Sequence, residues 1–506
     1  MMSSRIVDAP LSVPSARTAT VVLDGSALGV EDVVRLADGA ARPAPGADAM
    51  VRAEHSWNAA RQIAATGRVY GRSTGVGANR NEDVPTRAAA GHGLRLLRSH
   101  AGAIGAELPA RQVRAALAVR ANQLLAGGAG LRPSVVTALC EALESGAYPV
   151  VNEFGSVGTG DIAALAQVGL ALAGEHPWRG AGAPVPQPLD NNDALALISS
   201  NAFTLGQSAL ALHELRGLIG ATQVVAALSL LAVDGSHEAY AAPVHAARPH
   251  RGSAEAARRM RELIGAADRP TPPLGRIQDP YGFRCLPQIH GPAHDAADAL
   301  EQVLTVEINA AAENPLIAPE DLAAYHHGGF YQAQLALALD HFRLALTQVA
   351  RLSTSRLSTL NEPAYTRLRP FLADNEPASS GVMILEYAAG AALGDLRAFS
   401  APASLGHAVL SRGVEEQASF ASLAARQTLR ACGAYRLVVG CELVAAVRAL
   451  RQRDLRPDPG LPAGRAFALA EPVLDADPAD RPLTDDVTAA AALLDRFTDI
   501  WRGSAT

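Results

Sequence analysis

Long alanine- and leucine-rich runs with apolar residues at helical spacing constrain this chain more than any other feature. They extend from Asp193 to Asp234, Asp295 to Ala312, Gln332 to Leu360, Ser380 to Phe399 and Glu415 to Arg451. Ala and Leu are the best helix formers, and aromatic residues make up only 4% of the chain, so helices of this kind can pack closely. The same spacing recurs upstream, as in Leu94, Leu96 and Leu97 and again in Val113, Ala116, Leu117 and Val119. A β-like run at Thr20–Leu23, a helix near Val30–Ala37 and a short strand at Tyr148–Val151 are expected besides. Residues 1–20 read as a loose arm. The Pro/Gly-rich stretch Arg179–Pro188 reads as a boundary between an N-terminal region, 1–190, and a helical bundle with a C-terminal helical region, 191–506. The expected fold is mainly α, with long central helices and chemistry placed in Gly-rich loops.

Some whole classes of function drop out. All 44 basic residues are arginine, and there is no lysine. A pyridoxal-phosphate Schiff base, a class I aldolase and a phosphate-reading P-loop lysine are therefore excluded. A net charge of −6 gives no reason to expect a nucleic-acid partner. The four cysteines, Cys140, Cys285, Cys432 and Cys441, lie far apart with no C-x-x-C pair, so a cytoplasmic location is expected. The N-terminus lacks the apolar core of a signal peptide. The run Gly217–Val233 sits just under the usual threshold of about 18 residues for a membrane span, and with Thr222 and Gln223 inside it reads as a fully buried helix, with no membrane partner.

Four strings interrupt the helical background. Tyr70-Gly71-Arg72-Ser73-Thr74-Gly75-Val76-Gly77 is a loop that can present a tyrosine as acid or base, or an ordinary surface turn. Gly155-Ser156-Val157-Gly158-Thr159-Gly160-Asp161 precedes an apolar helix and can point backbone N–H groups at an anion or a polarised carbonyl. Its bland reading is helix capping by Thr159 or Asp161. In Gln278-Asp279-Pro280-Tyr281-Gly282-Phe283-Arg284, a phenol and a carboxylate-matching guanidinium stand three residues apart; the alternative is a structural Arg–Asp pair. Glu307-x-Asn309-x4-Asn314-Pro315 suits a helix end or a site wall. His290 and His294 have metal-ligand spacing, but Gly291-Pro292 is expected to break the helix that would align them, and no metal is assigned. The adjacent His326 and His327 are expected to diverge, and Glu415-Glu416 suits a solvated face.

Together and in this order, these strings resemble the histidine and phenylalanine ammonia-lyase family. The matches also include LRSHAGAIG (97–105), DALALISSN (193–201) and EINAAAENPL (307–316), and run from about residue 21 to the region of Glu415. The resemblance implies an ammonia-lyase-like superhelical, mainly α fold with a long central helix bundle, and a homotetramer whose active sites several subunits share. It also implies an internal electrophile, methylidene-imidazolone, formed autocatalytically from Ala-Ser-Gly, with no external cofactor. By position, Tyr70 resembles the family's loop tyrosine, Asn201 the asparagine supporting the electrophile and Tyr281 the inner tyrosine. Arg284 resembles the arginine holding the substrate carboxylate, and Glu415 the glutamate near the amine or side chain. Gln278 and Phe330 complete the expected substrate-binding set with His100. Ser99-His100 is similar to the histidine-lyase selectivity pair and favours an imidazole or another polar side chain.

The departures are local. Where the family reads G-S-V-G-A-S-G-D, this chain reads G-S-V-G-T-G-D, one residue shorter and without the serine. Gly158-Thr159-Gly160 either closes a threonine-derived ring or forms none, and the shortened loop leans toward none. GGFYQ (328–332) replaces the family's Gly-Gly-Asn-Phe-His, and Val414 stands where histidine lyases have glutamine. The function expected is C–N elimination or addition on a carboxylate-bearing, histidine-like or other amino acid. One alternative is a ring-independent enzyme using tyrosine acid–base chemistry for another elimination, addition or cyclisation in specialised metabolism. The other is a non-catalytic scaffold.

Overall fold

Helices account for most of the chain in the computed structural model, which describes residues 19–271 and 275–503. The four longest are Ala202–Ala232, Leu286–Ile308, Ala333–Leu360 and Ala421–Gln452. Among the described residues, strands occur only as two-stranded pairs. Ala19–Leu23 lies parallel to Ala41–Pro45, Ile104–Glu107 is antiparallel to Asn152–Phe154, and Leu316–Ala318 is antiparallel to Ala323–Tyr325. The chain divides into two compact units. The first comprises residues up to 213, 301–339 and 402–426, and the second 214–300, 340–401 and 427–506.

In the first unit the helix Ala110–Leu125 is almost wholly buried, two arginines included. A buried guanidinium must find acceptors for its donors, and helix C-termini offer unpaired carbonyls. Arg114 donates to the carbonyls of Leu36, Ala37 and Leu143, each at 2.9 Å. Arg120 donates to the Leu197 carbonyl at 3.0 Å and pairs with Glu313 at 2.8 Å. These ties bring the segments around 197 and 313 beside one helix, where the active-site loops begin.

The second unit holds a bundle built from the remaining parts of the long helices. At its centre Arg356 makes a two-pronged pair with Glu442, at 2.6 and 2.8 Å, with both side chains fully buried. The hydroxyls of Ser229 and Ser353 donate to the same carboxylate, at 2.7 and 2.5 Å. Thr222 and Tyr435 share a hydrogen bond of 2.7 Å.

The most apolar window of Asp193–Ala232 is 89% buried, so the borderline membrane run is a core helix here. Three expected boundaries need correction. The run from Asp193 is interrupted at Ser199–Asn201, because Asn201 turns its amide to other loops and Ser200 accepts the Asp161 N–H through its carbonyl. The run from Glu415 starts as a helix only at Ala421, because Leu410 and Glu415 exchange backbone hydrogen bonds and Phe420 takes a positive φ of 54°. Gly291-Pro292 does not break the helix Leu286–Ile308. Proline is accommodated within its first two turns, and a Cβ at Gly291 would lie 2.6 Å from Ser253 Cα, so glycine is needed for the close approach. His290 and His294 thus share one helix; burial pushes both rings toward the neutral form, and His294 stacks on Trp501 with centroids 5.4 Å apart.

Candidate active site

The Tyr70 loop leaves the end of the helix Ala47–Thr66 and is fastened from behind. Arg72, 1% exposed, donates to the carbonyls of Ala129 at 2.7 Å and Gly130 at 3.3 Å. Desolvation lowers its guanidinium pKa to about 10. The Val69 N–H donates to Ser73 Oγ, and Gly71 N–H to Thr74 Oγ1, closing the turn. With its base held, the loop presents the Tyr70 ring to a cavity of about 640 Å³. The Gly77 N–H donates to Tyr70 Oη at 2.8 Å, a bond that favours the phenolate. Burial nevertheless raises the Tyr70 pKa above the ordinary tyrosine value, and the negative charge of Glu415 adds to the rise while Arg80 opposes it.

The Gly-rich loop forms the opposite wall through Thr159 and Gly160. Its polar atoms are held from several directions. Gly160 N–H donates to Asn201 Oδ1 at 3.1 Å, and the Asn201 amide N–H donates to the Phe330 carbonyl at 2.7 Å. Ser419 Oγ donates to the Gly158 carbonyl at 2.6 Å. Ser156 Oγ accepts from Gly158 N–H and donates to the Gly160 carbonyl, both at 3.1 Å. Asp161 does not cap the following helix with its side chain; its buried carboxylate accepts from the Thr204 N–H at 2.7 Å and the Thr204 hydroxyl at 2.9 Å. Gly158 has φ +87°, and a Cβ there would lie 2.7 Å from the Ala421 nitrogen and 2.9 Å from that of Phe420, with Ser419 Oγ closer still. Even alanine is too large for that position.

The two histidines at 326 and 327 diverge as expected. His327 is structural: its N–H donates to Asn314 Oδ1 at 3.0 Å, and its ring bonds the Glu313 carbonyl through Nε2 at 2.7 Å. His326 faces the cavity and meets the Tyr70 ring edge to face, with centroids 6.3 Å apart. Phe330, Tyr331 and the loop residues Glu415, Glu416 and Gln417 complete this side.

Of the expected site residues, Tyr70, Thr159, Gly160, Phe330 and Glu415 line the cavity, while Gly158 and Asn201 stand behind it as supports. His100 belongs to the same unit but not to this wall; its Nδ1 lies 2.9 Å from the Leu96 carbonyl and 3.0 Å from Ser99 Oγ. Tyr281, Arg284 and Gln278 belong to the second unit. There the Arg284 guanidinium lies over the Tyr281 ring, 4.4 Å from its centroid, and Tyr281 is 66% exposed. Sequence reasoning missed Arg80, the one arginine among the described lining residues, and assigned no role to His326 or Gln417. The signal for Arg80 was available: it stands three residues after Gly77, in the chain lacking any lysine to play its part.

The geometry joins a loop tyrosine, a Gly-rich loop and an asparagine that ties the two walls. The aromatic amino acid lyase family model matches residues 28–471. The chain belongs to that family. Histidine ammonia-lyase from Caldanaerobacter subterraneus subsp. tengcongensis is 32% identical over 449 residues, covering 86% of this chain and 88% of its own. Among solved structures, histidine ammonia-lyase from Trypanosoma cruzi is 27% identical with a TM-score of 0.86, covering 96% of this chain and 94% of that one. Ergothionase from Treponema denticola, an ergothioneine-degrading enzyme solved with desmethyl-ergothioneine sulfonic acid, is 26% identical with a TM-score of 0.87, covering 95% and 99%. The fold is therefore the ammonia-lyase fold, and the chain is a carbon–nitrogen lyase; neither the scaffold reading nor the alternative chemistries find support among these relatives. The family in general forms its electrophile autocatalytically, acts on small amino acid substrates and is typically oligomeric.

Proposed function

We propose that the cavity carries out C–N elimination on an α-amino acid with an imidazole-type side chain, with Tyr70 removing the β-proton and without a ring electrophile. Tyr70 supports the reading: among the described lining residues it combines a phenolic base, a stabilising N–H donor from Gly77 and a place on the cavity wall with the Gly-rich loop. The imidazole preference is supported by the histidine lyases and by an ergothioneine-degrading neighbour. Arg80 is the cavity's own group for a substrate carboxylate.

The family ring fits these residues poorly. Its first member is alanine, and the Gly158 position has no room for a Cβ. Its second member is serine, whose dehydration leaves an unsubstituted alkene carbon; threonine would leave a methyl on the carbon that the amine must attack. Mass spectrometry of the intact protein tests this reading. The full sequence mass is expected, and a mass two waters lower would overturn the ring-free site.

We also propose a cytoplasmic homotetramer in which a second copy brings Tyr281 and Arg284 to each site. The exposed Tyr281 ring, with the half-buried Arg284 guanidinium over it, and the exposed Ile277 support this assembly. Mixing inactive Tyr70→Phe and Tyr281→Phe chains, refolded together, is expected to restore part of the activity. No restoration would refute the shared site.

A further inference from the structure

The turn that supports the Tyr70 phenol is itself held from a distant part of the chain. Gly77 N–H donates to Tyr70 Oη at 2.8 Å, and the next N–H along, that of Ala78, donates to Ser411 Oγ at 2.9 Å. Both donors belong to the short 3-10 turn Gly77–Asn79, and Arg80 follows it directly. Gly77 takes φ +56°, and a Cβ there would lie 2.5 Å from Ser411 Oγ and 3.5 Å from Glu415 Oε1. The two loops therefore meet with room for a hydrogen and no more. Within the Tyr70 loop the neighbouring bonds are internal, from Gly75 N–H to the Glu82 carbonyl and from Val84 N–H to the Ser73 carbonyl, both at 2.9 Å.

The backbone that delivers Ser411 is strained. Leu410 and Glu415 close a short hairpin by reciprocal backbone bonds of 2.7 and 3.3 Å. Inside it Ser411, Arg412 and Gly413 have φ of +51°, +57° and +83°, three left-handed residues in a row of which only the last is glycine. An L-residue adopts this conformation at a cost, and such strain collects where a functional geometry over-determines it. Here it aims one hydroxyl oxygen at Ala78 N–H, from the hairpin that also brings Glu415 to the cavity.

We infer that Ser411 is a positioning residue for the base: its hydroxyl fixes the Gly77–Asn79 turn, and the turn holds both the N–H that stabilises the Tyr70 phenolate and the Arg80 guanidinium on the cavity wall. The inference rests on the reading of Tyr70 as the base. Ser411 is not among the described lining residues, so its effect passes through Ala78 and Gly77. Without the hydroxyl the turn is free to leave the phenol. The phenolate then loses a donor, and Arg80, which lowers the phenol pKa, is released with it. Both changes raise the pH at which Tyr70 ionises. The other titratable groups on the wall around the phenol are Glu415, Glu416, His326 and Tyr331, and all keep their side chains in the variants that test the inference.

Two substitutions in the full-length protein separate the hydroxyl from the backbone. Ser411→Ala loses the acceptor and keeps the left-handed strain. Ser411→Gly loses the acceptor and relieves the strain, so loss of fold cannot account for its effect. Tyr70 is titrated by phenolate ultraviolet absorbance, as the difference between each protein and the same protein carrying Tyr70→Phe, a readout that needs no turnover. Both variants are expected to lower the Tyr70 ionisation constant by about three- to tenfold, a large part of one hydrogen bond to a charged acceptor. The kcat/KM on histidine, read by absorbance of the unsaturated product, should fall in both, with its basic limb displaced to higher pH. An unchanged Tyr70 titration in Ser411→Gly would overturn the inference, whatever the enzyme turns over. Full activity in Tyr70→Phe would instead overturn the base reading, and the titration would still decide what Ser411 does to the phenol.

Discussion

Replacing Gly158 by alanine tests the claim that the Gly-rich loop has a geometry of its own. The substitution adds one carbon at φ +87°, 2.7 Å from the Ala421 nitrogen and 2.9 Å from the Phe420 nitrogen. A left-handed backbone costs an L-residue about 1–2 kcal/mol. Forcing a carbon into a packed site costs about 1–3 kcal/mol more. The neighbours here are backbone atoms at the start of the helix Ala421–Gln452, which cannot swing away as a side-chain tip can. The sum is about 2–5 kcal/mol. For a unit of more than 250 residues each kcal/mol lowers Tm by about 2 °C, so a fall of about 4 °C or more is expected in a thermal melt. A partner variant apportions the cost: Ser419→Ala removes the closest side-chain atom and leaves both backbone nitrogens. Gly158→Ala/Ser419→Ala should therefore recover only part of the loss. A melt of Gly158→Ala within 1 °C of wild type would refute the reasoning, because it would mean that the loop can take the family's first ring residue without strain.

Further outcomes follow from the same geometry. The kcat/KM of wild type should rise with pH toward the basic side, because the active form is the phenolate and burial raises the Tyr70 pKa. Glu415→Gln removes a charge that adds to that rise, so the limb should move to lower pH; a move upward, or none, would remove Glu415 from the electrostatics of the base, against which Arg80 and the edge of His326 also stand. Glu442→Ala strands the buried Arg356 guanidinium and should cost about 3–5 kcal/mol, read as a large fall in Tm; a change under about 1 kcal/mol would show the pair to be solvated.

The strings carrying the chemistry were legible because glycine and proline interrupt strongly periodic helices, and Tyr70, Thr159, Gly160, Phe330 and Glu415 do share one cavity. What periodicity could not supply was the supports. Asn201 looks like a helix residue in the run from Asp193, yet its amide bridges two loops that lie 41 and 129 residues away in sequence. Pro292 looks like a breaker, but tertiary packing through Gly291 and Ser253 carries the helix past it. Arg80 and His326 reach the cavity only because a turn at Gly77 and the His327–Glu313 bond aim them there, and neither cause is local to the residue it places.

The anchoring of Arg72 has a practical reach. Trypsin cleaves after lysine and arginine, and this protein offers it arginine alone. Arg114, Arg120, Arg343 and Arg356 are sealed in the core, so cuts after them report global unfolding. Arg72 is equally sealed, but it is two residues from Tyr70, its guanidinium tied to the Ala129 and Gly130 carbonyls and its own carbonyl accepting from the Asn191 amide. A nick after residue 72 therefore clocks how often the base-bearing loop comes off its anchor, a protease used as a stopwatch for one loop.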